Sequence, residues 1–199
     1  MQNAREHILT TALQLFLQKS FKEVTLQQMV TASGLSKGAF YHYFRSKEQV
    51  FEEVIEHFFT SVRSDDFSRY SQASLWAFCQ DYLAHLAQYM QRFNEQVGSS
   101  GALRANQFLL LFEALNLLPA FREHQQQRQQ RELQRWTAMV HQARQAGEIS
   151  SGLADEQIAK FFIYLSDGAA LNNLIQRVPG ELMSEITQLL HGWYHTLKA

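Results

Sequence analysis

The amino-acid sequence predicts an all-α protein of about nine helices, and three observations carry that reading. Apolar residues recur at three- and four-residue spacing along nearly the whole chain, the mark of amphipathic helices. β-branched alternation is nearly absent, and only Pro119 and Pro179 interrupt the 199 residues. Hydroxyl residues stand where several stripes begin, and glycines stand where others end.

The first stripe, Ile8, Leu9, Ala12, Leu15 and Phe16, predicts a helix over 3–19. Thr25 opens the second, 26–33, as a capping box with Gln28, and Gly34 ends it where a left-handed residue is needed. Ser36 caps the third, 37–44. The turn between these two helices is short and contains glycine, a helix-turn-helix signal. Ser46, with Gln49 completing a capping box, starts the fourth helix, 47–62. The fifth, 73–93, places Leu75, Phe78, Cys79, Tyr82, Leu83, Leu86, Met90 and Phe93 on one face. Asn94–Gly101 reads as a loop by its glycines and serines. A sixth helix spans 102–117, Pro119 begins a seventh, and Gly147 stops it after 146. The eighth covers 155–177, and Pro179-Gly180 introduces the ninth, 181–197. The glutamine-rich run 125–130 reads as a solvated helix face. The domain division is 1–46, the helix-turn-helix module, and 47–199, a larger helical body.

Composition narrows the class. A chain 46% hydrophobic and 19% charged is ordinary for a soluble globular protein with its own core. Its single cysteine, Cys79, excludes a disulfide framework within the chain and reads as a small buried hydrophobe in a reducing cytoplasm. The N-terminus lacks a signal peptide's apolar run, and the longest apolar stretch, Phe108–Leu118, is broken by Glu113 and Asn116. No membrane association is expected. The net charge of −1 hides an asymmetry: residues 1–50 hold six lysines and arginines against three glutamates, and the remainder is acidic.

The stretch 25–48 concentrates the chemistry. Phe40 and Phe44, four apart, share one face of the third helix and can pack on Leu26, Met29 and Val30. Gly38, Ala39 and His42 then fall on the opposite side, where small residues let a helix start approach a DNA major groove. Lys37, Tyr41 and Tyr43 flank that side with groups that bind phosphate oxygens. Thr25 and Lys47 lie at helix starts, where free backbone N–H groups favour anions. These residues alone leave a second reading open, a capped three-helix module whose tyrosines are simply half-buried.

The segment resembles the N-terminal signature of TetR-family regulators. Thr25, Gly34-Leu35-Ser36-Lys37-Gly38, Tyr41, Tyr43-Phe44 and Ser46-Lys47-Glu48 match it position by position, with dense similarity over 5–60. The resemblance implies that Thr25, Tyr41, Tyr43 and Lys47 hold backbone phosphates, and that Gln27, Lys37, Gly38, Ala39 and His42 lie at or near base edges. Ser36 joins this DNA-binding set within the matched turn. Ala39 stands where many relatives carry threonine or asparagine, which would limit its base contact to a thymine methyl.

The eighth helix is apolar on two sides, Ile158, Phe161, Phe162 and Leu165 on one, Ala159, Ile163, Ala170 and Leu174 on the other. The second side needs a partner. The ninth offers Leu182, Ile186, Leu189, Leu190, Trp193 and Leu197. By resemblance these two helices pair into a homodimer's four-helix bundle, with Phe162, Ile163, Ala170, Leu174, Ile186, Leu189, Leu190 and Trp193 at the interface. Resemblance also implies an inducer cavity among helices four to seven for an apolar or aromatic small molecule. Phe59, Trp76, Phe78, Tyr82, His85, Phe108, Phe112, Glu113 and Trp136 are its candidate lining, with Asp81 a further polar handle. The implied activity is a ligand-responsive regulator, by default a repressor, binding a near-palindromic double-stranded operator as a cytoplasmic dimer. A ligand preferring one position of the fourth helix would shift the separation of the two reading heads.

An enzyme is not expected. The chain carries no glycine-rich phosphate loop, no Gly-x-Ser-x-Gly elbow and no His-Glu-x-x-His helix. No cofactor or metal is expected, since His191 and His195, four apart, lack an evident third ligand. The competing class is a helical small-molecule-binding or scaffolding protein that never touches DNA.

Overall fold

The computed structural model describes the backbone of residues 4–60, 67–97, 101–176 and 181–198. Within these it describes all side chains but those of Thr60, Ser68, Gln96, Val97, residues 101–105, Leu174 and Gln176. The architecture is all-α: α1 (Ala4–Gln18), α2 (Leu26–Ser33), α3 (Lys37–Tyr43), α4 (Lys47–Ile55), α5 (Leu75–Val97), α6 (Gly101–Leu117), α7 (Pro119–Gln145), α8 (Asp155–Gln176) and α9 (Leu182–Leu197). A π-helical turn, Glu56–Thr60, continues α4, and a 3-10 turn, Phe67–Arg69, precedes α5. Regular α geometry in the fourth helix therefore stops at Ile55 instead of Val62, and residues 61–62 lie outside the described residues. The expected loop at Asn94–Gly101 also contracts, because α5 continues to Val97 and α6 begins at Gly101. Residues 98–100 lie outside the described residues.

The caps explain the boundaries. The Thr25 hydroxyl accepts from the Gln28 N–H (3.2 Å) and the Gln28 side chain accepts from the Thr25 N–H (2.8 Å), a complete capping box. Gly34 adopts φ 66° and its N–H closes on the Thr31 carbonyl. At α4 the Ser46 hydroxyl accepts from the Gln49 N–H (3.1 Å), but the Gln49 side chain accepts from Arg45 N–H rather than from Ser46. The expected reciprocal box is thus displaced by one residue.

The chain divides into two compact units. The first comprises Met1–Ser64 and Gln91–His124. Its core joins Ile8, Leu9, Leu13 and Phe16 of α1 to Met29 and Val30 of α2, Phe40 of α3, Val50, Phe51 and Val54 of α4, and Leu110 and Ala114 of α6. Burial of side chains this large stabilises by about 1.5–3 kcal/mol each and fixes α3 by its Phe40 face. Packing thus draws no line at 46/47, since α4 and α6 complete the core of α1–α3.

The second unit comprises Asp65–Met90 and Gln125–Ala199. Trp136 is fully buried, stacked on Phe162 (4.8 Å between ring centroids, 10° apart) and met edge-on by Phe78 and Tyr82. Cys79 is buried beside them, and desolvation pushes its thiol up to about 12, so it serves as a small apolar group. Arg128 and Glu132, one turn apart on α7, form a buried ion pair (3.2 Å). The Glu148 carboxylate accepts from the N–H groups of Leu75 (2.9 Å) and Trp76 (3.3 Å) at the start of α5, and from the Tyr194 hydroxyl of α9 (2.8 Å).

Candidate nucleic-acid interface

The site grows from the tight α2–α3 turn. Because Phe40 is held in the core, the opposite side of α3 faces water, and Lys37, Gly38, Ala39, Tyr41 and His42 are all exposed there. Gln27 of α2 is exposed too. A Cβ built on Gly38 would meet nothing within 4 Å, so nothing among the described residues covers this helix start. The Lys37 ammonium stands 6.0 Å from the centre of the Tyr41 ring, which keeps a positive charge beside a phenol on the open face.

The remaining members are tied in different ways. Thr25 and Ser36 cap α2 and α3 through their hydroxyl oxygens, which leaves each O–H able to donate outward. Tyr43 is half-buried against the first unit's core, with His42 edge-on to its ring at 5.1 Å. The Lys47 side chain is engaged within the chain by one of its three donors. Its ammonium donates to the Phe21 carbonyl (2.8 Å) and lies 4.2 Å over the Phe21 ring, so the charge is anchored inside the chain. The N–H groups at the start of α4 remain the anion-facing feature there.

Three contacts that the sequence reading missed hold the head in place. His7 Nε2 meets the Ser33 carbonyl at 3.0 Å, Glu113 of α6 accepts from the Phe21 N–H (3.0 Å), and the Asn106 amide donates to the Leu17 carbonyl. Each joins residues far apart in sequence, and no local pattern announces them.

The candidate inducer lining divides between the units. Phe59, Phe108, Phe112 and Glu113 belong to the first, while Trp76, Phe78, Tyr82, His85 and Trp136 belong to the second. Phe59 is buried against Phe93, and Phe112 is largely exposed. The two carboxylates read as polar handles are engaged within the chain, Glu113 on Phe21 and Asp81 on the Ser71 N–H (2.6 Å).

The dimer candidates fall mostly within the second unit's own core. Phe162, Ile163, Ile186 and Leu190 are buried in the second unit's own core, and Ala170 and Trp193 are partly covered. The Leu174 side chain lies outside the described residues. Among the described members of that set only Leu189 is exposed. The open apolar stripe on α8 is instead Phe161, Tyr164, Leu171 and Ile175, at three- and four-residue spacing with Gly168 between them. Phe162 stacks on Trp136, which rotates Phe161 and Tyr164 outward.

Known proteins share this segment and this fold. The family model described as bacterial regulatory proteins, tetR family, matches residues 8–54, which hold the whole turn and the exposed α3 face. Over this segment the chain is similar to the TetR family. Across most of its length the chain is similar to the HTH-type transcriptional repressor DhaR of Mycobacterium sp. (strain GP1), 24% identical over 173 residues that cover 87% of the chain and 83% of DhaR. A shorter match to the uncharacterized HTH-type transcriptional regulator YerO of Bacillus subtilis, 38% identical, covers 29% of the chain and 20% of YerO. The fold matches the crystal structure of E. coli NemR in its reduced form with a TM-score of 0.60, at 24% identity, over 99% of this chain and 98% of that one. No helix among the described residues is long and apolar enough to cross a membrane.

Proposed function

We propose that the protein is a ligand-responsive transcriptional repressor that binds a near-palindromic duplex operator as a homodimer in the cytoplasm and is released by a small molecule. The observation that carries the reading is the uncovered N-terminal half of α3, where Lys37, Gly38, Ala39, Tyr41 and His42 form an open face behind a buried Phe40. In this reading Gly38 and Ala39 admit the helix to the major groove, Gln27, Lys37 and His42 meet base edges, and Thr25, Ser36, Tyr41, Tyr43 and the start of α4 hold phosphates. Residues 1–46 act as the reading head and 47–199 as the sensing and dimerising part. No catalytic step is assigned to the chain.

The exposed α8 stripe of Phe161, Tyr164, Leu171 and Ile175, with Leu189 of α9, supports dimerisation through these helices. A two-fold dimer presents two α3 helices to two half-sites. The aromatic group Phe78, Tyr82 and Trp136 supports an apolar or aromatic ligand. The buried Trp136 indole N–H, without an acceptor among the described residues, supports an acceptor atom on that ligand. Because α4 shares a core with α1–α3, a ligand that favours one position of α4 would shift the reading heads.

Selection of bound sequences from a random duplex pool tests the reading, with the wild type and Tyr41→Ala run side by side. An enriched near-palindrome that weakens in the variant supports dimeric, sequence-specific readout. No enrichment even at low salt overturns it and favours a helical binding protein that does not use DNA.

A further inference from the structure

We propose that His191 and His195 of α9 form a two-nitrogen site for a divalent transition-metal cation, Cu2+ or Ni2+. The residues are one helical turn apart, and their Nε2 atoms converge to 3.0 Å, with ring centroids 4.2 Å apart. Both side chains are exposed, so a cation reaches the pair directly and water completes its coordination. No third His, Cys, Asp or Glu joins them among the described residues, which makes this a cis-chelating pair rather than a closed structural site.

The convergence of the two Nε2 atoms suits chelation of one ion. At metal–nitrogen distances of about 2.0–2.1 Å, cis ligands of a square-planar or octahedral ion stand about 2.9–3.0 Å apart, whereas the edge of a tetrahedron spans about 3.3–3.4 Å. Imidazole suits Cu2+ and Ni2+, and both ions accept two cis nitrogens from side chains one helical turn apart. Without metal, one Nε2–H donates to the other Nε2. On metal binding the donor ring carries its proton on Nδ1 instead, and both Nε2 lone pairs turn to the cation.

The pair is also held in place. The His191 ring lies edge-on against Trp76 of α5 (5.0 Å), Trp76 stacks on Tyr194 (5.2 Å), and Tyr194 is fastened to Glu148. This platform orients His191 before any ion arrives, as a supporting shell does in metal sites. Lys198 lies over the far partner of the platform, the Tyr194 ring (5.6 Å). Exposed Leu189 is two residues before His191 and so lies roughly opposite on the helix, leaving the pair in water if α8 and α9 pair with a second copy.

The test uses the full chain, stripped of metal with chelator, and titrates CuSO4 or NiCl2 by calorimetry at about pH 7. The expected result is one tight ion per chain, about tenfold or more weaker in His191→Gln and in His195→Gln, with Zn2+ binding more weakly than Cu2+. Paramagnetic resonance of the Cu2+ form should show two equatorial nitrogens, lost in the double variant while helical content and melting stay at wild-type values. Binding unchanged in both single variants, or no Cu2+ binding at millimolar metal, overturns the assignment.

Discussion

Replacing Gly38 by alanine separates the stability of α3 from its work on DNA. Gly38 is the second residue of a regular helix, is exposed, and would carry a Cβ that meets no atom within 4 Å. In the free protein nothing resists the methyl group. The alanine lowers the entropy cost of ordering the backbone, which is worth about 0.5–1 kcal/mol in a helix interior and sits toward the lower end in this first turn. For a chain of this length that corresponds to a rise of about 1–2 °C in melting temperature. On the operator the same methyl occupies the gap through which the backbone approaches the base edges. Moving α3 outward to admit it forfeits at least one charge-assisted phosphate bond, about 1.5–3 kcal/mol, or about ten- to a hundredfold in affinity. Denaturant unfolding and fluorescence anisotropy on a selected duplex read the two effects separately. A variant that is at least as stable and binds about tenfold more weakly meets the expectation. Unchanged operator affinity would refute the argument that this face enters the groove.

Three further outcomes follow from the second unit. Glu148→Ala strands the Leu75 and Trp76 N–H groups and the Tyr194 hydroxyl, so unfolding at fixed protein concentration should show a loss of about 3 kcal/mol, against about 1 kcal/mol for Tyr194→Phe. Burial and then the Glu148 bond push the Tyr194 phenol up to about 12. A group raised in the folded state stabilises fully below its unfolded value near 10 and loses that contribution as pH climbs through about 12, so wild type should soften in this alkaline window and Tyr194→Phe should soften less. On α8, Tyr164→Arg combined with Ile175→Arg alters side chains that are 60% and 73% exposed, so folding should change by no more than about 0.5 kcal/mol per site. Sedimentation velocity should then show a monomer and operator binding should drop sharply. A stable dimer in that variant would count against the α8 stripe as the interface.

The features legible in the sequence are those decided within one helical turn. Thr25 with Gln28, Gly34 at φ 66°, Ser36 at the start of α3 and Gly147 at φ 70° are local solutions to unpaired backbone groups, and the residue types that provide them are few. The exposed α3 face was equally legible, because Phe40 and Phe44 are large enough to dictate which side turns inward. Tertiary structure decided the rest. A helix apolar around much of its girth, such as α8, carries no mark of which side meets its own core. Only Trp136, arriving from α7 to stack on Phe162, turns Phe161, Tyr164 and Ile175 to water. Likewise Lys47 reads as a free cation until Phe21 comes under its ammonium, and Glu113 reads as a ligand handle until the Phe21 N–H claims it. Backbone caps are settled by neighbours in sequence. Partners for long side chains are settled by whichever distant groups packing brings near, and that information resides in the fold.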